Sequence, residues 1–503
     1  MSSKNNFYFT LQGHHKEVTG SCIVCTIHFP NNQERKFLVD FGLFQELEYE
    51  EANREMPVNI SEIDAVLITH SHVDHVGRIP FLVKNGYNKP IYSTFLTKVV
   101  SEKLLYNSAK VFQSNYDKEK KFVRHPDLPL YHEEDVEKAL SLMQTCKYNV
   151  PIQIDDNITV TFLDNGHILS ASCILVEATY KSKSPLRILF TGDYKGHNTF
   201  KEVIPIPKEI KELPLNIVTE STLCEEEYVS YDEIFKNTVI SCIERNKGMV
   251  ILSLAQERYE EILYNLKQLQ EQGYKMDICT DAPLAKEINS IYSRYSQIKY
   301  MPEDVINISS SEEREIILNS PQKRILIVSS GMGDFGNAPT YLNNFLQRTD
   351  YEILFTSFLS EHTLGKRVLQ TSPGNVIRIS GFSENIKKVA KVNQTREFTS
   401  HATLDELADF LLQFKKLKNV IINHGNENAQ ENLRKVLDEK CIQTTVLGTN
   451  KVHMIDTHGN LTTQELNVQD KEKNVSKPSK KNLTNRTIPL SMRSSCNSNI
   501  ISH

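Results

Sequence analysis

Long hydrophobic runs are missing from this chain. No stretch approaches the roughly 20 apolar residues that span a bilayer. The start, Met1-Ser-Ser-Lys-Asn-Asn-Phe-Tyr8, lacks the apolar core of a secretory leader. The expectation is a cytoplasmic protein with no membrane contact. An excess of positive charge is missing too, with 58 Lys and Arg against 63 Asp and Glu, a net charge of −5. That excludes an overall basic footprint for non-specific nucleic-acid binding, though not a local basic groove. The nine cysteines are scattered and odd in number, unlike a disulfide framework, and read as reduced thiols. Cys22-Ile-Val-Cys25 is formally a C-x-x-C, but it lies in an alternating strand-like run with no second pair and reads as structural. Hydrophobic residues at 39% and charged residues at 24% fit a globular protein, and 503 residues suffice for two or three domains with cores.

Histidine is also scarce, 16 in all, yet three fall within six residues: His70-Ser-His72-Val-Asp74-His75. The apolar run Ala65-Val-Leu-Ile68 ahead of them reads as a buried strand. The cluster therefore sits at the carboxyl end of a strand, where α/β sheets usually place their chemistry. Imidazole and carboxylate together suit zinc or a similar divalent ion. An i, i+2 pair can aim both rings at one ion, which leaves Asp74 and His75 for a second.

Four residues do not close two metal sites. His167 follows the strand-like Ile158–Leu163, Asp193 follows Arg187–Phe190, and His424 follows Asn419–Ile422. A lone His or Asp at a strand end is more often structural. Three that repeat one placement argue for a shared site. Alternating segments within residues 7–45 read as strands, residues 94–115 and 134–145 as helices covering a sheet, and residues 206–384 as a second helix-and-strand rhythm with a mostly parallel sheet.

Asp40 in Phe37-Leu-Val-Asp40, the His70–His75 cluster, His167 and Asp193 resemble the successive motifs of the metallo-β-lactamase superfamily. Thr219-Glu220-Ser-Thr222, Phe398-Thr-Ser-His401-Ala and Asn423-His424-Gly425 are similar to the extra motifs of its β-CASP nucleases. That group includes RNase J and the pre-mRNA 3′-end endonuclease. The resemblance covers about residues 7–465. It implies an α/β fold, a metallo-β-lactamase αββα sandwich with an inserted α/β β-CASP domain. The implied domains are 1–205, the insertion 206–384 acting as a lid, a return segment 385–465 with RNA-specificity motifs, and a disordered basic tail 466–503.

The resemblance further implies two zinc ions, with manganese as the alternative, held by His70, His72 and His167 and by Asp74, His75 and His424. Asp193 would bridge them and Asp40 would orient a ligand from behind. A hydroxide activated between the ions would attack phosphorus. His401, paired with Glu220, would protonate the leaving oxygen, and Asp74 could accept a proton from the attacking water. Arg258, Lys366, Arg367, Ser330 and Gly331 match positions that face substrate. His14 and His15 read as loop residues rather than ligands. His at the last motif favours single-stranded RNA over DNA. The absence of a further domain after residue 465 favours an endonuclease-like architecture over a 5′ exonuclease. Homodimers are common among such proteins. The alternatives are a DNA nuclease or other metallo-hydrolase on the same scaffold, and a non-catalytic RNA-binding subunit. Thr403 and Asn426 depart from the family pattern, which more often has acids there, and the Gly333–Asn337 loop has fewer glycines.

Overall fold

The computed structural model describes residues 7–14, 18–119, 129–225 and 233–466. The basic tail and His15 lie outside the described residues. The chain divides into two compact units, one holding residues up to 228 and again from 400, the other residues 229–399. Pro214–Thr219 belongs to the first unit and Lys391–Gln394 to the second.

The first unit is built on two sheets. One runs, in spatial order, Leu461–Glu465, Lys451–Asp456, Tyr8–Gly13, Ile23–His28, Glu34–Val39, Ile63–Leu67, Ile91–Thr94 and Met143–Cys146. The other runs Gln443–Val446, Lys416–Ile422, Pro214–Thr219, Leu186–Phe190, Ser172–Ala178, Ile158–Asp164 and Ile152–Asp155. Alternation explains their stacking. Phe9, Leu11, Cys25, Ile27 and Phe37 on one sheet share a core with Val160, Phe162, Ile174 and Ile188 on the other. The opposite face of the first sheet packs on helices Phe95–Glu119 and Glu133–Leu142. That of the second packs on Leu404–Leu411 and Glu427–Glu439. The result is a helix–sheet–sheet–helix sandwich. Cys22 and Cys25 are buried free thiols in this core, and burial pushes Cys22 up to about 12.

The helical reading of 134–145 fails at its end. The helix stops at Leu142, and Met143–Cys146 pairs in parallel with Ile91–Thr94 as an edge strand. Four residues are too few for periodicity to separate the two states, and the free sheet edge decides it.

The second unit has a six-stranded, all-parallel sheet in the order Ile306–Asn307, Ile278–Asp281, Ile325–Val328, Gly248–Leu252, Tyr351–Phe355 and Lys391–Gln394. Its central strands are buried on both faces, as the continuous apolar run of Ile325–Val328 requires. Among the described residues no helix is long and apolar enough to cross a membrane.

Candidate metal centre

Every residue expected to ligate metal lies in the first unit, at the carboxyl end of a strand. Asp40 follows Glu34–Val39, His70–His75 follow Ile63–Leu67, and His167 follows Ile158–Asp164. Asp193 follows Leu186–Phe190, Glu220 follows Pro214–Thr219, and His424 follows Lys416–Ile422. The short helix Val73–Val76 then turns Asp74 and His75 inward. It approaches so closely that a Cβ on Gly42 would stand 1.5 Å from the Asp74 carbonyl oxygen, so only glycine fits there. Asp40 and His424 are both held at positive φ, 61° and 47°. Non-glycine residues rarely adopt that conformation, and such strain clusters at functional sites.

The side chains converge as two groups. In the first, His72 Nδ1 lies 3.0 Å from His70 Nε2 and 3.2 Å from His167 Nε2. Asp193 Oδ2 is 3.5 Å from each of those two Nε2 atoms. In the second, Asp193 Oδ1 is 3.4 Å from His75 Nε2 and 3.4 Å from His424 Nδ1. Asp74 Oδ2 is 3.8 Å from both His75 Nε2 and His424 Nε2. The two oxygens of one carboxylate thus face two separate donor sets.

These residues fit divalent ions on three observations. Donors each roughly 2.1 Å from one tetrahedral ion stand roughly 3.4 Å apart, close to the separations seen. His75 Nε2, Asp193 Oδ1 and His424 Nε2 are buried and have no hydrogen-bond partner, an unfavourable state that a cation would relieve. The rings are also tied from outside. His75 Nδ1 donates to Asp40 Oδ2 at 2.8 Å, and His167 Nδ1 donates to the Ser400 carbonyl at 2.7 Å. The Thr69 hydroxyl donates to Asp40 Oδ2 at 2.8 Å, so its lone pair is left to accept from His70 Nδ1 at 3.0 Å. In each case the tied nitrogen carries the proton and the inner one keeps a lone pair.

Electrostatics agree for His70, His72 and His167, while Asp193 and Asp40 raise His75 against its burial. Burial, with charge from neighbouring imidazoles, holds His70 and His167 far below the usual histidine range and His72 at about 4. All three are therefore neutral, as an imidazole that binds metal must be. Burial would raise Asp74, but the neighbouring imidazoles of His424, His75 and His72 outweigh it and hold it at about 2. Asp193 is likewise held ionised by the surrounding imidazoles against its burial.

His401 stands apart from the two donor sets. Its Nε2 is 4.0 Å from Asp193 Oδ2, and its Nδ1 is 2.8 Å from Glu220 Oε2. Burial opposes its charge, but Glu220, then Asp193 and Asp74, raise it to about 9. Glu220 is buried and also accepts from the backbone N–H groups of Tyr194 and Thr222. His72, Asp74 and His401 are the part-exposed members of the site.

The structure also brings in residues that spacing did not single out. Asn165 donates to the carbonyls of Thr191 and Asp193 and accepts from His167 N–H, joining two ligand loops. Thr222 Oγ1 lies 3.0 Å from His424 Nδ1. Lys195 Nζ reaches the His401 carbonyl at 3.2 Å. An amide or hydroxyl without periodicity carries no signal of such a role in a linear reading. His14 does not join the converging side chains.

In the second unit, Arg258 Nη1 donates to the Thr356 carbonyl and Lys366 pairs with Glu361 at 2.7 Å. Ser330 and Gly331 follow the strand Ile325–Val328, and Arg367 lies in the helix Leu364–Gln370.

Comparison with known proteins bears on these features. The family model for the metallo-beta-lactamase superfamily domain matches residues 31–195, that for the Beta-Casp domain residues 259–368, and that for the Zn-dependent metallo-hydrolase RNA specificity domain residues 385–447. The chain is 27% identical over 443 residues to ribonuclease TTHA0252 of Thermus thermophilus, covering 84% of this chain and 94% of that one. It is 25% identical over 479 residues to transcription termination factor FttA of Lokiarchaeum sp., covering 88% and 70%. To FttA of Pyrococcus horikoshii it is 26% identical over 392 residues, covering 72% of this chain and 57% of the relative, so it spans little more than half of that protein. A solved B3 metallo-beta-lactamase with an active-site glutamic acid aligns with 41% of the chain and 77% of its own, at 12% identity and a TM-score of 0.24.

Proposed function

The chain belongs to the β-CASP group of the metallo-β-lactamase superfamily, and from that premise we propose a zinc-dependent ribonuclease that cuts single-stranded RNA internally. The observation that carries the reading is Asp193, whose two oxygens face two separate sets of donors. His70, His72 and His167 would hold one ion, and Asp74, His75 and His424 the other. Ions there, zinc or manganese, would polarise a phosphoryl group and lower the pKa of water to about 7. The protein's own groups supply the rest. Asp74, ionised and part-exposed, accepts a proton from the attacking water. His401, charged at neutral pH, faces the same space and donates a proton to the leaving sugar oxygen. Glu220 holds the other His401 nitrogen, so that Nε2–H is the one presented. Asp40 orients His75 and, through Thr69, His70. Arg258, Lys366, Arg367, Ser330 and Gly331 contact the RNA backbone.

Support for RNA comes from the match over residues 385–447 and from the Thermus relative, a ribonuclease by name. A cytoplasmic homodimer completes the proposal. It is tested by light scattering and by single-stranded RNA and DNA oligonucleotides labelled at the 5′ end, with zinc or manganese. Internal cuts in RNA are expected from the wild type and none from an Asp74→Ala, His75→Ala variant or after chelation. His401→Ala should lose about 10²–10⁴ in rate with its metal content intact. Cutting of DNA alone, or of neither polymer by a protein holding two metals, would overturn the substrate class.

A further inference from the structure

The strand that carries His167 and the strand that carries Asp193 are not neighbours. Ile158–Asp164 and Leu186–Phe190 each pair with Ser172–Ala178, which lies between them. Strands so separated stand roughly 10 Å apart, with no ladder of hydrogen bonds between them. Sheet pairing therefore does not set the distance between the two ligand loops at their ends. The first donor set depends on that distance, because Asp193 Oδ2 and His167 Nε2 stand 3.5 Å apart.

One side chain spans the gap. Asn165 is buried and directly follows Ile158–Asp164. Its amide nitrogen donates to the Thr191 carbonyl at 2.9 Å and to the Asp193 carbonyl at 2.7 Å, so its two protons grip the turn Thr191-Gly-Asp193 at both ends. Its Oδ1 accepts from His167 N–H at 3.2 Å. Its own carbonyl accepts from the N–H groups of Gly196 at 2.8 Å and Lys195 at 3.3 Å, just past Asp193. The gripped turn has no slack elsewhere, since a Cβ on Gly192 would lie 2.7 Å from the Thr69 Cβ. The chemistry is specific to this side chain. An aspartate of the same shape donates neither bond, a leucine makes none, and a glutamine adds a methylene to a packed position.

We propose that Asn165 is a positioning residue for one of the two metals: it sets the reach of Asp193 Oδ2 towards His70, His72 and His167. The second set does not depend on it, because His75 is tied by Asp40 and His424 by Thr222. The inference rests on the two-metal part of the function proposed above and names what makes its two ions unequal. A buried amide can also be a staple that serves stability alone, in which case its removal would weaken the fold and leave both ions untouched.

The test is zinc titration of the metal-free full chain against a chromophoric chelator, with elemental analysis after dialysis; neither needs turnover. The wild type should bind two ions. Asn165→Leu, close in volume, should bind one ion as the wild type does and the other about 10–100-fold more weakly. Asn165→Ser, able to donate once, should show a smaller loss of the same kind, and it carries the test if the leucine variant does not fold. In a His72→Ala background, which removes a ligand of the first set, adding Asn165→Leu should leave the remaining ion's affinity within about twofold. Asn419 supplies the comparison: it is fully buried and donates to Asn216 Oδ1 at 2.7 Å and the Gly459 carbonyl at 2.8 Å. Asn419→Leu should lower the unfolding transition and bind both ions normally. An Asn165→Leu protein that behaves the same way, or that loses both ions equally, overturns the inference. A wild type that binds fewer than two ions overturns the two-metal reading and the inference with it. Two ions bound with no cutting of RNA would remove only the ribonuclease reading.

Discussion

Thr222 can donate its hydroxyl proton to the His424 carbonyl at 3.1 Å, and its lone pair then accepts from His424 Nδ1 at 3.0 Å. That arrangement leaves Nε2, which faces Asp74, as the nitrogen with a free pair. A partner that sets the tautomer of a ligating histidine is typically worth about 10–100-fold in metal affinity. Thr222→Val should therefore retain one ion per chain under mild chelation where the wild type retains two, and Thr222→Ser should retain both, by elemental analysis of dialysed protein. Another histidine bears on stability. His453 is fully buried, with Nδ1 3.0 Å from Thr463 Oγ1, and burial and then Lys451 hold it down at about 4. Its folded pKa lies below the unfolded value near 6.5. Its contribution is therefore complete above about pH 6.5 and is lost as pH falls towards 4, up to about 3 kcal/mol. His453→Leu should lack this loss, so the difference in unfolding free energy between variant and wild type should change by about 3 kcal/mol between pH 7.5 and pH 4 in urea titrations.

Two of the departures from the family pattern, Thr403 and Asn426, turn out to be helix N-caps. Thr403 Oγ1 accepts from Glu406 N–H, and the Glu406 carboxylate accepts back from Thr403 N–H, a capping box on Leu404–Leu411. Asn426 Oδ1 accepts from Ala429 N–H at the start of Glu427–Glu439. Thr, Asn and Asp all serve this position, so neither change disturbs the neighbouring His401 or His424. Thr403→Ala should cost about 1 kcal/mol in thermal or denaturant unfolding and Thr403→Asp close to nothing. A capping box could be read directly from Thr403-Leu-Asp-Glu406, because the cap is local in sequence. The strand at Met143–Cys146 could not, because its partner Ile91–Thr94 is distant.

The whole metal centre belongs to one compact unit that the chain builds from two separated stretches. Leu223 and Thr403, one from each stretch, form an isolated parallel bridge. Each unit has its own sheet and its own buried core. Replacing residues 229–399 by a short Gly/Ser linker should then leave a folded protein that binds two metals per chain but has lost its affinity for RNA. Elemental analysis and oligonucleotide binding would check both halves of the expectation, and a metal-free but folded product would refute it.

Read without its structure, the chain already points to its candidate ligands. Histidine and aspartate crowded at the ends of apolar runs are a local pattern, and their chemistry follows from residue type. The succession of motifs likewise declares the sandwich and the inserted unit. What waits for the tertiary structure is everything that depends on which loops become neighbours. The Ser400 carbonyl reaches His167 across 233 positions, Thr222 reaches His424 across 202, and Asn165 joins the Asp193 loop across 28. Carbonyls, hydroxyls and amides occur everywhere in a sequence, so only proximity gives them a role.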